Sequence, residues 1–325
     1  MWRVILGAVL VSGCGDAGDA GSGDAGSTGG TTGAIGTSTG EATGPGGTTG
    51  GASGSGESEG GSTEASESST GTPTEPQSGM LSVLSYNVAG LPDAISGSNP
   101  LVNTPLISPR LNAFDLVLVQ EDFSYHAELS ADAEHPFQSM PGGGGTLGDG
   151  LNRFSLSEFE GFERNGWVEC NGVVDSGSDC LTEKGFSVGL HELGPGVEVD
   201  VYNFHMDAGG SDEDIAARQA QIEQMLATIA TRSADRALIV AGDTNMDEED
   251  EADLVTLLEG AGLTDACREL ACGDEFRIDR IMFRNSGGIE LTPTSWLVDL
   301  TFADDEGEQL SDHEAVVVEF DWASR

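Results

Sequence analysis

Six short aliphatic runs recur along the chain, and each ends at, contains or directly follows a polar residue suited to binding phosphate or a divalent metal. Aliphatic runs of this length are typical of strands that are buried on both faces of a sheet. In α/β folds ligands bind at the sheet edge where such strands end, so the runs predict a site at that edge. The polar residues are Asn87, Glu121, His205, Asp243, Asn245, Asp279, Ser311, Asp312 and His313.

The same apolar patterning predicts the main strands. They cover residues 81–87, 116–120, 186–190, 198–204, 237–241, 278–283 and 315–320.

Two helices are predicted between the strands. One follows His205, where Ser211 or Asp212 can cap the first turn. Its apolar face consists of Ile215, Ile222, Met225, Leu226 and Ile229. The second helix covers residues 249–259, and residues 141–179 are glycine-rich and irregular. Many strands and few helices indicate an α/β (α+β) fold in which sheets pack against each other with helices outside.

The N-terminus has the features of an export signal. Residues 1–13 contain Arg3 followed by an apolar run, and small residues precede Cys14. These features resemble the lipobox of bacterial lipoproteins, a resemblance that implies diacylation of Cys14. An ordinary signal peptide with an unrelated cysteine is the alternative. We therefore expect a secreted lipoprotein, anchored through its lipid at the outer membrane or the cell surface.

Residues 14–79 are rich in Gly, Ser and Thr and contain no aromatic residue. Such a segment cannot bury enough apolar surface to offset the entropy of ordering, so we predict a disordered tether. Residues 80–325 remain as one large domain, which we expect to be a monomer.

The chain is strongly acidic, with 56 acidic and 13 basic residues and a net charge of −43. Proteins that bind DNA or RNA normally carry clustered Lys and Arg, so this charge argues against nucleic acid as a partner. A phosphate ester can approach such a domain where a cation offsets the local charge. A divalent metal ion would serve this purpose.

Besides Cys14, the chain contains Cys170, Cys180, Cys267 and Cys272. An even number of cysteines in an exported domain predicts disulfides, most simply Cys170–Cys180 and Cys267–Cys272. Other pairings and a zinc site are alternatives, although the spacings contain no C-x-x-C unit.

The residue types at the strand ends suit phosphate-ester hydrolysis. This reaction needs a metal, a base for the attacking water, and donors for the developing charge. Glu121 is a hard carboxylate that suits Mg²⁺, with Mn²⁺ or Ca²⁺ as alternatives. His313 is a candidate base that Asp279 can orient. The candidate donors to phosphoryl oxygens are Asn87, His205 and Asn245.

The order of the motifs resembles that of a known superfamily. SYN, QE, NFH, GDTN, RIDRI and SDH resemble, in sequence order, the motifs of the endonuclease/exonuclease/phosphatase superfamily, which has the deoxyribonuclease-I-like fold. The resemblance covers nearly all of residues 80–325. It implies a four-layer sandwich of two central mixed β-sheets flanked by helices.

The resemblance also implies roles for the matching residues. Glu121, with Asn87 nearby, would hold the metal, and Asp312 would join them or position His313. His313 would be the general base, paired with Asp279.

The remaining matching residues would act on the phosphate. Asp243 would orient the water or assist the leaving group, while Asn245 and His205 would bind phosphate. The segment DCLTEKG resembles the Asp-x4-Lys-Gly element of neutral sphingomyelinases, in which the lysine approaches phosphate. Lys184 would take that place, and Arg153 is a second candidate phosphate contact.

We therefore predict an Mg²⁺-dependent phosphoric ester hydrolase, specifically a sphingomyelinase-like phosphodiesterase of the phospholipase C type. Its expected partner is a phosphoester substrate such as a phospholipid. The alternatives are an extracellular nuclease, a phosphomonoesterase of the same superfamily, and a non-catalytic surface binding module. The sequence contains no long apolar hairpin of the sort that secreted haemolytic sphingomyelinases use to enter membranes.

Overall fold

The computed structural model describes residues 75–93, 96–144, 147–172 and 179–325. The predicted signal peptide, the lipidation site Cys14 and nearly all of the predicted tether lie outside these residues, so they stay predictions. Within the described part, no helix combines the length and the apolar character needed to cross a membrane.

The described strands form two mixed six-stranded sheets. In spatial order, the first sheet consists of β11 (Ile289–Val298), β12 (Val316–Ser324), β1 (Ser78–Asn87), β2 (Leu116–Gln120), β4 (Asn152–Ser155) and β3 (Phe137–Gln138). The second consists of β5 (Phe159–Gly166), β6 (Gly185–Gly194), β7 (Val197–His205), β8 (Ala237–Asp243), β10 (Asp279–Arg284) and β9 (Thr264–Asp265).

Helices connect the strands. The α-helices are α1 (Pro100–Ile107), α2 (His126–Ser130), α3 (Asp212–Arg232), α4 (Glu251–Ala261) and α5 (Ala266–Glu269). Short 3₁₀ helices cover Ser108–Ala113, Asp179–Leu181 and Glu248–Asp250. Ser211 caps α3, because its hydroxyl accepts from the Asp214 amide at 3.2 Å while the Asp214 carboxylate accepts from the Ser211 amide at 2.9 Å.

The central strands bury side chains on both faces. In β8, Ala237, Ile239 and Ala241 face the core between the sheets, whereas Leu238 and Val240 face the core beneath α3 and α4. Side chains alternate along a strand, so burial of both faces requires a continuous apolar run. A third core lies between the first sheet and α1. Helix, sheet, sheet and helix thus form the predicted four-layer sandwich, and this prediction is confirmed.

The structure corrects the prediction for residues 141–179. They are not wholly irregular, because β4 and β5 lie within them, and β11 is a further strand that the sequence did not reveal. β5 and β11 lie at sheet edges, where strands need no apolar run. β5 contains no fully buried residue, and β11 contains Pro293 beside a register shift.

The disulfide predictions are confirmed. Cys170 pairs with Cys180 and Cys267 pairs with Cys272, with Cα–Cα distances of 5.5 and 4.9 Å.

The start of β1 and the end of β12 lie together. The two strands are antiparallel neighbours, and Ser78 is opposite Ala323. β1 runs from there to the opposite edge of the first sheet, the edge formed by the other ends of its strands, and it ends at that edge with Asn87.

A pair of buried amides joins the two sheets. Gln120 at the end of β2 donates through Nε2 to Asn203 Oδ1 in β7 at 2.7 Å. Asn203 Nδ2 donates in turn to the carbonyl of Val119 at 2.9 Å and to that of Asn152 at 3.1 Å. Both side chains are fully buried, so these bonds replace contacts with water that neither residue can make.

We expect Asn203→Ala to lower the free energy of unfolding by roughly 2–3 kcal/mol, since it leaves buried donors and acceptors without partners. Urea denaturation measures this change. Asn112→Ala is the matched control: Asn112 also bonds to backbone groups, of Asp132 and Glu134, but it is exposed, so water can replace it. Equal losses in the two variants would contradict the structural role of the amide bridge.

Candidate active site

The polar residues at the strand ends meet at one edge of the paired sheets. β1 ends there at Asn87, and the register of the second sheet places His205 opposite Asp243 and Asp243 opposite Asp279. His313 precedes β12, which runs antiparallel to β1 and therefore starts at the same edge.

Asn87 lies at the centre of the site. Its Nδ2 lies 3.1 Å from Glu121 Oε1, 3.2 Å from Asp243 Oδ2 and 3.4 Å from His313 Nε2. Its Oδ1 accepts from the Ala89 amide at 3.0 Å. The amide nitrogen therefore orients the carboxylates, and the oxygen expected to help hold a metal is directed to the backbone.

Glu121 directly follows β2 in a left-handed backbone conformation, with φ of 56°. The turn directs its carboxylate towards Asn87 and to within 3.9 Å of His205 Nε2. Burial raises the pKa of Glu121, and the charge of Lys184 and the hydrogen bond from Asn87 only partly oppose the effect.

Asp243 is buried at the end of β8. Its Oδ2 lies 3.3 Å from His205 Nε2 and 3.7 Å from His313 Nε2. Burial, and then the charge of Asp279, raise the pKa of Asp243 to about 6. Burial lowers the pKa of His205 far below its ordinary value, so His205 is neutral at pH 7.

His313 and Asp279 form the predicted pair, with Nδ1 and Oδ2 2.9 Å apart. Burial lowers the pKa of His313, but the hydrogen bond and charge of Asp279, with the charges of Asp243 and Asp312, raise it to about 10. The imidazole is therefore protonated at pH 7. To act as the predicted base, His313 needs a nearby cation that lowers its pKa.

Lys184 and Asn245 converge on one carbonyl oxygen. Lys184 Nζ lies 3.3 Å from Met206 O, and Asn245 Nδ2 donates to the same atom at 3.0 Å. The backbone N–H of Asn245 also donates to Asp243 Oδ1 at 2.9 Å. Lys184 is buried and paired with Asp179, and it is the lysine that the sequence placed near phosphate. The structure thus brings Lys184 and Asn245 to the same carbonyl group, and Asn245 also contacts Asp243.

The prediction that Arg153 contacts substrate is wrong. Its guanidinium is completely buried, where it donates to Ser187 Oγ at 3.0 Å and to Val201 O at 3.1 Å and lies over the Phe162 ring. Arg153 therefore supports the packing of β4 against the second sheet, and no surface is left for a phosphate.

Asp312 is not brought into the cluster. Its side chain is exposed, and its Oδ1 accepts from Ser311 Oγ at 3.4 Å. Among the described residues, the close group of potential metal ligands consists of Asp243, Asp279 and His313, whose ligand atoms lie within 4.8 Å of one another. Asp312 acts on the site through its charge, which contributes to the raised pKa of His313.

Sequence reasoning missed residues that hold the backbone and the strands next to the site. Gln120 and Asn203 form the amide bridge, and Trp167 Nε1 donates to the carbonyl of His205 at 2.6 Å. A polar amide inside an aliphatic run was the available signal for Gln120 and Asn203, because such an amide must find a buried partner. No sequence signal indicated the role of Trp167.

The carboxylates fit a divalent cation. Glu121 and Asp243 share contacts with Asn87 and His205, and burial raises the pKa of each. Neither is paired with Lys or Arg in the part of the chain that the structure describes. A divalent cation would supply the missing positive charge, and oxygen donors are the ligands that Mg²⁺ prefers.

Comparison with known proteins shows what the chain is similar to. The profile of the Endonuclease/Exonuclease/phosphatase family matches residues 84–313. A protein named sphingomyelinase from Mycobacterium tuberculosis is 34% identical over 278 residues, which cover 78% of this chain and 55% of the relative. The chain thus spans about half the length of the curated relatives it matches.

Solved structures share the fold. Beta toxin from Staphylococcus aureus, crystallised as a mutant with bound magnesium ions, has a TM-score of 0.56 and 15% identity, covering 73% of this chain and 98% of its own. TDP2 from D. rerio, complexed with single-strand DNA product, has a TM-score of 0.57 and 20% identity, covering 74% and 98%. At these identities the likeness concerns the fold.

The ion pair of His313 and Asp279 predicts a pH dependence of stability. The pKa of His313 rises from 6.5 to about 10 on folding, so its stabilisation is complete below pH 6.5 and is lost as the pH rises towards 10. Urea unfolding at pH 6, 8 and 10 in EDTA should show this decline, and Asp279→Asn should reduce it. An equal slope in wild type and variant would count against the pair as its source.

Proposed function

The chain belongs to the endonuclease/exonuclease/phosphatase family, and from this premise we propose that it is a divalent-cation-dependent phosphodiesterase that acts on sphingomyelin-like phospholipids. Asn87 carries the catalytic part of the proposal, because its amide gathers Glu121, Asp243 and His313 from separate strands and loops. Carboxylates and imidazoles that are buried or half-buried and in such close contact are typical of hydrolytic sites.

The proposed roles follow from the contacts. A divalent cation, which we take to be Mg²⁺, would be held by Glu121 with Asp243, where it would neutralise phosphoryl charge and lower the pKa of His313. His313, oriented by Asp279, would then accept the proton of the attacking water through Nε2. His205, neutral at pH 7, is suited to donate a hydrogen bond from Nε2 to a phosphoryl oxygen.

The proposed substrate class rests on two observations. The relative at 34% identity is named a sphingomyelinase, and Lys184 lies beside Asn245 at the site. Cleavage of the phospholipase C type would transfer the phosphoryl group from the lipid hydroxyl to water and release phosphorylcholine. A net charge of −43 disfavours polyanionic nucleic acid and does not disfavour a phosphodiester that ends in a cationic choline.

We expect His313→Ala to reduce Mg²⁺-dependent release of phosphorylcholine from sphingomyelin by roughly a hundredfold to ten-thousandfold, because it removes the general base. His135→Gln is the control. His135 contacts the carbonyl of Phe114, just before the start of β2 at the opposite edge, so its loss should leave catalysis nearly unchanged.

The same assay, repeated on other substrates, distinguishes the proposed phosphodiesterase from the alternative functions. Parallel reactions with plasmid DNA, RNA, lysophospholipids and phosphomonoesters, each with and without EDTA, would identify a nuclease or a phosphomonoesterase by its product. Full activity of His313→Ala on every substrate would remove His313 from the mechanism. Absence of hydrolysis by the wild type would favour a non-catalytic binding protein.

We also expect the charge of Lys184 to assist substrate binding. Lys184→Met should lower kcat/KM roughly tenfold, because the site loses a positive charge that would attract the phosphate. The double variant Asp179→Asn/Lys184→Met removes the buried ion pair without leaving an unpaired charge, so it separates substrate binding from stability. Wild-type kcat/KM in the double variant would show that Lys184 serves only the fold.

A further inference from the structure

The conformation of Glu121 requires an explanation. A residue with a Cβ is strained in the left-handed region, where Glu121 lies with φ of 56°. Such strain persists where surrounding contacts fix it, and it is common where a functional side chain must be aimed. At this position the strained turn directs the carboxylate to Asn87 Nδ2 at 3.1 Å.

The turn after β1 holds the turn after β2. The Val88 amide donates to Gln120 O at 2.9 Å, and the Gly90 amide donates to Glu121 O at 3.0 Å. The Ser124 amide then donates back to Gly90 O at 3.1 Å. Gly90 therefore bonds to both ends of the segment 121–124, and it holds the carbonyl of the strained residue itself.

Only glycine fits at this place. A Cβ on Gly90 would lie 2.4 Å from Glu121 O, and real Cβ atoms keep at least 3.0 Å from such neighbours. The obstructing atom belongs to the backbone, so no side-chain rotation relieves the contact. Gly90 does not itself have a positive φ. Position 90 therefore requires glycine because its backbone lies close to the Glu121 carbonyl, and not because of its own backbone conformation.

We infer that Gly90 is a positioning residue for the cation site: its missing side chain lets the backbone of the turn after β1 hold Glu121 in the strained conformation that directs its carboxylate. The inference rests on the proposed role of Glu121 as a cation ligand. A side chain at position 90 would displace the Glu121 carbonyl, and the carboxylate would leave its place beside Asn87 and His205.

The test is Mg²⁺ binding to the full chain, measured by isothermal titration calorimetry. Gly90→Ala should raise the Kd for Mg²⁺ roughly 10- to 100-fold, the effect typical of losing support behind a metal ligand. Gly97→Ala is the matched control, because Gly97 follows in the same connection and has no atom within 4 Å of its would-be Cβ. It should bind Mg²⁺ like the wild type.

A double-mutant cycle separates positioning from folding. If Gly90 acts through Glu121, then Gly90→Ala adds nothing to the loss already caused by Glu121→Gln. An additive loss, wild-type Mg²⁺ affinity in Gly90→Ala, or a Gly90→Ala chain that is unfolded without Mg²⁺ would each overturn the inference. A wild type that binds no Mg²⁺ would instead overturn the proposed function.

Discussion

The site exists only because two sheets pack face to face. Asn87, Glu121 and His313 belong to strands and turns of the first sheet, while His205, Asp243 and Asp279 belong to the second. Contacts from Asn87 to Asp243 and from His313 to Asp279 cross the interface between the sheets. The apolar core between the sheets, closed near this edge by the amides of Gln120 and Asn203, therefore fixes distances that neither sheet could set alone.

This arrangement gathers negative charge where water is scarce. Burial raises the pKa of Glu121 and of Asp243, so the fold opposes the ionisation of the two carboxylates that we propose as cation ligands. The charge of the protonated His313 partly opposes this rise in the pKa of both carboxylates. A cation would oppose it further. The electrostatics of the site thus couple the binding of a cation to the protonation of His313, and one bound cation would shift the pKa values of several groups together.

The sequence predicts the parts of the fold that are buried on both faces. β2 and β8 are continuous apolar runs, and β1 and β7 are apolar runs interrupted by single polar residues, so their positions and the polar residues at their ends follow directly. β5 and β11 lie at edges and have no such run. Their pairing depends on distant strands that no local pattern reveals.

The predictability of the site divides in a similar way. The residue types at the strand ends identified the cluster. No sequence pattern distinguished an arginine that contacts substrate from one that is buried in the fold. Arg153 looks like a phosphate contact until its neighbours Ser187 and Val201 are known. The importance of Gly90 is also invisible locally, because it arises from a carbonyl 31 residues away in the sequence.

The antiparallel pairing of β1 with β12 has a practical consequence for handling the protein. Ser78 and Ser324 belong to the edge opposite the site, and the ten residues of β1 separate that edge from Asn87 by roughly 30 Å. A surface, bead or fusion partner attached beyond either strand would therefore meet the domain at its back. The strand ends that carry the candidate site residues would lie on the side away from that attachment.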